Sequence, residues 1–203
     1  RTVYKGASIT TAVSLVAGVL IALTSTSIIT TKGEPSYQFD LVKVMAKPAV
    51  YGDSCHVNYG ETKSGYCTYG DKNSEKTIVL YGDSHAAQWF PTLEKLANER
   101  GFKLISLTKS ACPAVEAQRR NQGAFRQADC SQWRKNSIER IAEIKPMAVI
   151  TGNFHYYTPE NERVSRATWW SDGQRKLLKD LRGTTKNLIY LSDTPRPLRD
   201  IPN

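Results

Sequence analysis

The hydrophobic and polar positions divide the chain into three parts: an apolar N-terminal segment, a polar middle, and a region in which short apolar runs alternate with amphipathic stretches. In that last region, runs of strand length are separated by segments whose apolar residues repeat at helical spacing. Strands that alternate with helices predict an α/β fold with a mostly parallel sheet covered on both faces. The predicted strands and helices, in chain order, are 77–81, 86–100, 103–107, 131–144, 147–151, 169–181 and 187–191.

The N-terminal segment contains no charged residue between Lys5 and Lys32. A helix over 9–29 has about 20 residues, which span a bilayer core of about 30 Å, so we predict one transmembrane helix. Arg1 and Lys5 favour a cytoplasmic start and place the remainder outside. A cleaved signal peptide and a buried core helix are the alternatives. Because the chain begins with arginine, we expect further membrane segments upstream.

Four cysteines form two sequence-local pairs, Cys55 with Cys67 and Cys112 with Cys130. Neither pair has the spacing of a zinc or thioredoxin-type site, so we expect no metal and no cofactor. Two disulfides made in an oxidising compartment are the simpler interpretation, with buried free thiols as the alternative.

The formal charge of +9 raises the question of a nucleic-acid partner. The basic residues are scattered, and no zinc-finger or RNA-binding motif is present, so we expect none. The charge is compatible with anionic envelope glycans, with lipid headgroups, or with a surface that is simply solvated.

Candidate chemistry lies where the first predicted strand ends, in Tyr81-Gly82-Asp83-Ser84-His85-Ala86. A serine in a tight strand-to-helix turn exposes its hydroxyl at the sheet edge, and its backbone N–H can donate to an oxyanion. Gly82 permits the turn, and Asp83 can accept hydrogen bonds from turn amides. A plain helix N-cap serine is the alternative.

The same tetrapeptide occurs earlier, as Tyr51-Gly52-Asp53-Ser54. That copy follows Pro48 rather than a strand, and it leads into Cys55 and a polar loop rather than a helix. We therefore interpret Ser54 as a turn residue.

The chain resembles the SGNH domain fused to membrane acyltransferases of the acyltransferase-three family. The residues that carry the resemblance are Val79-Leu80-Tyr81-Gly82-Asp83-Ser84-His85-Ala86 before a helix, and then Ser110-Ala111-Cys112-Pro113. The resemblance covers about residues 50–203. It implies a flavodoxin-like SGNH-hydrolase sandwich and O-acetylation of envelope glycans such as lipopolysaccharide O-antigen or peptidoglycan.

The resemblance makes Ser84 the nucleophile that forms an acyl-enzyme, and Ser84 and Asn153 the oxyanion donors. Asn153 directly follows the third predicted strand, although a turn asparagine is the alternative there. The glycine donor of such families has no assigned counterpart, since none lies between Gly101 and Gly123.

The resemblance also implies a catalytic Asp and His in a C-terminal D-x-x-H, and none follows Ser84. We expect these residues beyond Asn203. His56 lies in the first cysteine loop, and His85 is adjacent to Ser84, where side chains diverge. His155 is a weaker candidate base, and Asp193 follows the fourth strand near the same edge.

The predicted organisation is a transmembrane helix with flanks at 1–32, a linker and disulfide-tied loop at 33–75, and an SGNH domain at 76–203. The expected function is acyl transfer to an envelope glycan, with the acyl group relayed by an upstream membrane domain. We expect a cytoplasmic-membrane protein whose globular domain is periplasmic or extracellular. A membrane-anchored esterase and a non-catalytic glycan-binding module are the alternatives.

Overall fold

The structure is a computed structural model that describes residues 46–195. The predicted transmembrane helix at 9–29 lies outside these residues. Within 46–195, no helix is both long enough and apolar enough to cross a bilayer.

The centre of the sheet is β3 (Thr77–Gly82), the strand that precedes the candidate nucleophile. It pairs in parallel with β4 (Lys103–Lys109) on one side and with β5 (Ala148–Gly152) on the other. Strand β6 (Leu188–Leu191) continues the parallel sheet beyond β5. The chain therefore reverses its direction of travel across the sheet at β3, and ligands of α/β sheets bind at such switch points, outside the carboxyl ends of the strands.

The outer edge of β4 carries two short strands from the polar middle of the chain. Strand β1 (His56–Val57) pairs in parallel with the end of β4, and β2 (Thr68–Gly70) pairs antiparallel with its beginning. The segment predicted as a linker and loop thus contributes to the sheet. These strands are only 2 and 3 residues long, too short to produce an alternating pattern in the sequence.

Five helices accompany the strands within the described residues. The predicted helix at 86–100 forms as two, because a new helix begins at Phe90 with Pro91 in its first turn. Gly101 ends that helix in the left-handed conformation, at φ 66°. The helices are α1 (Ala49–Gly52), α2 (Ser84–Ala87), α3 (Phe90–Arg100), α4 (Gln127–Ile144) and α5 (Arg166–Leu181).

Alternate residues of β3 enter two separate hydrophobic clusters, one on each face of the sheet. Ile78 and Leu80 belong to the cluster that includes Phe90 of α3. Val79 and Tyr81 belong to the other cluster, which includes Trp133 of α4. This period-two burial confirms the predicted parallel sheet covered on both faces. Because both faces of the sheet are packed with apolar side chains, polar side chains are accommodated at the carboxyl ends of the strands.

Candidate active site

The turn after β3 places Ser84 as the first residue of α2. Gly82, the last residue of β3, has φ 153°, a conformation that side-chain-bearing residues rarely adopt. Its partner across the sheet is Gly152, the last residue of β5. Two glycines therefore allow the ends of the central strands to approach closely beside Ser84, whose side chain remains partly exposed.

The carboxylate of Asp83 is fully buried and joins this turn to the loop after β5. One oxygen accepts from the His85 backbone N–H at 2.8 Å. The other accepts from the Phe154 backbone N–H at 2.9 Å and from the Tyr157 hydroxyl at 2.8 Å. Burial raises the pKa of Asp83, and these hydrogen bonds oppose the shift. Asp83 thus holds the serine turn and the 153–157 loop together.

Asn153 lies directly after β5 and is buried. Its side-chain oxygen accepts a hydrogen bond from the Ala114 backbone N–H at 2.6 Å, which fixes the orientation of the amide. Its Nδ2 group is shielded from solvent and has no hydrogen-bond partner among residues 46–195. A buried donor without an acceptor is rare and calls for an explanation.

Ser84 and Asn153 therefore follow the two central strands at one sheet edge, in register through Gly82 and Gly152. The Ser84 backbone N–H stands at a helix start, where amides have no intrahelical acceptor. A serine hydroxyl, a backbone amide and a side-chain amide at one edge are the groups that acyl transfer through a covalent intermediate uses.

A second group of polar residues lies at the same edge. Asp193, two residues after β6, accepts from the Nδ1 atom of His85 at 2.5 Å and from that of His155 at 2.9 Å. The His155 backbone N–H also donates to it, at 3.2 Å. Burial alone would raise the pKa of Asp193, but the hydrogen bonds from His85 and His155 lower it below its ordinary value.

A D-x-x-H spacing occurs upstream of Ser84, from Asp53 to His56, but both side chains are engaged in hydrogen bonds with other residues. The two ring nitrogens of His56 are each 3.0 Å from a hydroxyl, of Thr108 and of Ser110. Burial, aided by Lys109, lowers the pKa of His56 to about 4. A ring with both nitrogens engaged and so low a pKa is a poor general base at neutral pH.

The first Tyr-Gly-Asp-Ser copy differs from the second in what precedes and follows its serine. Ser54 is exposed in a turn, with φ 63°, and it begins no helix. The Asp53 carboxylate accepts from the Tyr69 hydroxyl at 2.5 Å and from the Cys55 backbone N–H at 3.2 Å. Asp83 makes the same two kinds of contact, so it is the turn conformation and the absence of a following helix that support the interpretation of Ser54 as a turn residue.

Both predicted cysteine pairs are disulfide-bonded, Cys55 with Cys67 and Cys112 with Cys130. The second bond ties the loop after β4 to α4. That loop carries Ala114, whose amide orients Asn153. The disulfide therefore supports the loop that positions the candidate oxyanion donor.

Comparison with known proteins adds the family. A family model described as an SGNH domain fused to AT3 domains matches residues 54–203. The chain belongs to this SGNH family. Comparison with curated protein sequences gives no significant match.

A solved structure with the same fold is the periplasmic domain of the Salmonella ser. Paratyphi A lipopolysaccharide acetyltransferase. It has a TM-score of 0.52 and 18% sequence identity, and the match covers 79% of this chain. This chain spans 60% of that one. At this identity the likeness shows the fold alone, which confirms the predicted flavodoxin-like SGNH architecture.

The structure places Gly82, Asp83, Ser84 and Asn153 after two neighbouring strands of the sheet. The sequence did not reveal that Asp193 contacts both His85 and His155. The feature that these three residues share in the sequence is their position, since each lies within three residues of the carboxyl end of a parallel strand. Only the strand order, with β6 beside β5, shows that these ends are neighbours.

Proposed function

We propose that this SGNH domain transfers an acyl group, most simply acetyl, to a hydroxyl of a cell-envelope glycan through an acyl-Ser84 intermediate. The observation that carries the proposal is that Ser84 and Asn153 each follow one of two paired central strands at the same sheet edge, and that the buried Nδ2 of Asn153 has no hydrogen-bond partner among the described residues. The fusion of the family to AT3 domains supports a membrane acyltransferase as the source of the acyl group. The name of the structural neighbour supports lipopolysaccharide as an acceptor class.

In this proposal the Ser84 hydroxyl attacks the acyl carbonyl and gives its proton to a general base, and the leaving group departs from the tetrahedral intermediate with its bonding electron pair. The Ser84 backbone N–H and the Asn153 Nδ2 group donate to the oxyanion, while Gly82 and Asp83 keep the turn in place. A glycan hydroxyl, deprotonated by the same base, then attacks the acyl carbon, the bond from that carbon to the Ser84 oxygen breaks, and the proton returns to Ser84. Because the D-x-x-H at Asp53 to His56 is structural, the described residues hold no such motif to supply the base that the resemblance implies.

The proposed setting is the outer side of the cytoplasmic membrane. Two disulfides within the described residues support an oxidising compartment. The apolar segment at 9–29 supports a membrane anchor. A domain held there is within reach of an acyl group relayed by a membrane domain and of an envelope glycan.

The test compares matched serine variants in the full-length protein, in cells that acetylate their glycan. Ser84→Ala should reduce glycan O-acetylation by at least about 10³-fold, because it removes the covalent route. Ser54→Ala should leave acetylation unchanged. Acetylation that survives Ser84→Ala would refute the proposal. Loss of acyl groups that depends on Ser84 would indicate the esterase instead, and full acetylation with retained glycan binding would indicate the binding module.

A further inference from the structure

Three residues form what we call the His–Asp–His cluster: His85, His155 and Asp193. They come from the ends of three strands and are far apart in sequence, with a separation of 108 positions from His85 to Asp193. The Asp193 side chain is almost fully buried, with 3% exposed, and both of its oxygens are engaged by ring nitrogens. The Thr194 backbone N–H also donates to it, at 2.9 Å.

The carboxylate determines which atom of each ring carries the proton. An ionised carboxylate only accepts hydrogen bonds, so the Nδ1 atom of His85 and that of His155 must each carry a hydrogen. In a neutral ring of this tautomer, Nε2 has a lone pair and no hydrogen, and is therefore an acceptor. Asp193 thus fixes two imidazoles so that each presents an acceptor away from the carboxylate.

The outward side of the cluster is open. The side chains of His85 and His155 are 25% and 40% exposed, and neither Nε2 atom has a hydrogen-bond partner among residues 46–195. Aromatic rings lie beside both: Phe154 is 4.8 Å from His85, and Tyr156 is 4.0 Å from His155, measured between ring centroids. Small-molecule sites have this composition, in which aromatic surface is combined with a few fixed polar atoms.

The cluster is next to the candidate nucleophile. His85 follows Ser84 directly, and its backbone N–H donates to the buried Asp83 carboxylate. His155 is the second residue after Asn153, in the loop tied to the same carboxylate through Phe154. A molecule bound against the two imidazoles would therefore lie beside an acyl group on Ser84.

We propose that the His–Asp–His cluster, flanked by Phe154 and Tyr156, is the subsite that binds a sugar ring of the acceptor glycan. Hydroxyl groups of the sugar donate to the two Nε2 atoms, and its apolar face packs against the aromatic rings. The inference rests on the proposed function, because it names where the acceptor of that reaction binds. A purely structural role for Asp193, to fasten β6 to the site, needs no open acceptor on either ring.

The first test concerns the tautomers and needs no ligand. The chain has only three histidines, so ¹⁵N labelling of histidine gives a spectrum that three single variants can assign. In the intact chain in mild detergent, the neutral forms of His85 and His155 should both show Nδ1–H and an unprotonated Nε2. Asp193→Asn should invert the tautomer of one ring, because an amide presents one acceptor and one donor. The Nε2–H tautomer at both rings of the unmodified protein would overturn the proposal.

The second test measures acceptor binding, in a Ser84→Ala background that prevents turnover. The probe is an oligosaccharide cut from the envelope polysaccharide of the producing strain after deletion of the gene. Adding it should shift the ring signals of His85 and His155, and not those of His56. His155→Ala and Asp193→Asn should each weaken the Kd by about 3- to 10-fold, the equivalent of one lost hydrogen bond.

Tyr66→Ala is the matched control, since Tyr66 is an aromatic residue that is 91% exposed and does not contact the cluster. It should bind the probe like the parent. Equal affinity for the parent, His155→Ala and Asp193→Asn, or no shift of either ring on saturation, would refute the subsite. The proposed function would still stand if Ser84→Ala abolished glycan acetylation in cells, and it would fail separately if acetylation survived.

Discussion

Gly82 and Gly152 face each other across the two central strands so closely that a Cβ atom on Gly82 would lie 2.1 Å from the Gly152 carbonyl oxygen. The obstacle is backbone, which cannot move aside as a flexible side chain can. Gly82 also has a φ of 153°, which disfavours any side chain. The position of the serine turn therefore depends on glycine at the end of β3.

We predict that Gly82→Ala lowers the free energy of unfolding by at least about 3 kcal/mol, because strain and overlap act together. Gly52→Ala is the matched control from the other Tyr-Gly-Asp-Ser copy, where an added Cβ meets nothing within 4 Å. It should change stability by less than about 0.5 kcal/mol. Urea unfolding of both variants measures the difference. Similar stabilities for the two would show that the close approach is not real.

Asp83 should be as sensitive as Gly82, for a different reason. Its carboxylate accepts three hydrogen bonds in a buried site, and an amide at that position would direct N–H groups at a donor. Asp83→Asn should therefore cost about 1–3 kcal/mol of stability and reduce acyl transfer. Tyr157→Phe, which removes one donor only, should cost less. If Asp83→Asn is as stable and active as the parent, Asp83 does not hold the turn and the loop together.

His56 should remain neutral well below the ordinary histidine pKa of about 6.5, since its folded pKa is lowered to about 4. Between these values the folded state binds fewer protons than the unfolded state. Acidification from pH 6.5 to 4 should therefore destabilise the domain, and His56→Gln should weaken this dependence. NMR titration of the His56 ring checks the pKa. A midpoint near 6.5 would contradict the buried, hydroxyl-bonded ring.

Asp193 should stabilise the folded domain while its carboxyl is ionised, because its pKa is lowered in the folded state. Its contribution to stability is present above the unfolded pKa of about 3.9 and is lost as the pH falls through the lower folded value. The stability difference between the parent and Asp193→Asn should therefore be smaller at pH 3 than at pH 5. Urea unfolding at these two values measures it. A difference that grows from pH 5 to pH 3 would mean that the folded pKa of the carboxyl is not lowered.

The sequence predicted those features that depend on local pattern. Residues 77–81 and 147–151 alternate or run apolar as buried strands do, and Ser84 follows the first run in a turn that glycine permits. The second Tyr-Gly-Asp-Ser copy could be separated from the first because only one stands between a strand and a helix. The disulfide pairs followed from proximity along the chain.

What the sequence could not supply were contacts set by strand order and by buried polar geometry. Asp193 meets His85 and His155 only because β6 lies beside β5 and β5 beside β3. Strands β1 and β2 escaped prediction because each is stabilised by its pairing with β4 rather than by a pattern of its own. The neutral state of His56 depends on hydroxyls 52 and 54 residues away.

The most direct test of the central claim is to find the acyl group on Ser84. Full-length protein is taken from cells that are acetylating their glycan, quenched in acid and digested, and the peptides are read by mass spectrometry. We predict an added acetyl group on the peptide that contains Ser84, none on the peptide that contains Ser54, and more acetyl-Ser84 in cells that lack the acceptor glycan. Continued glycan acetylation with no acyl group on Ser84 in either strain, or with the group on another residue, would contradict the account.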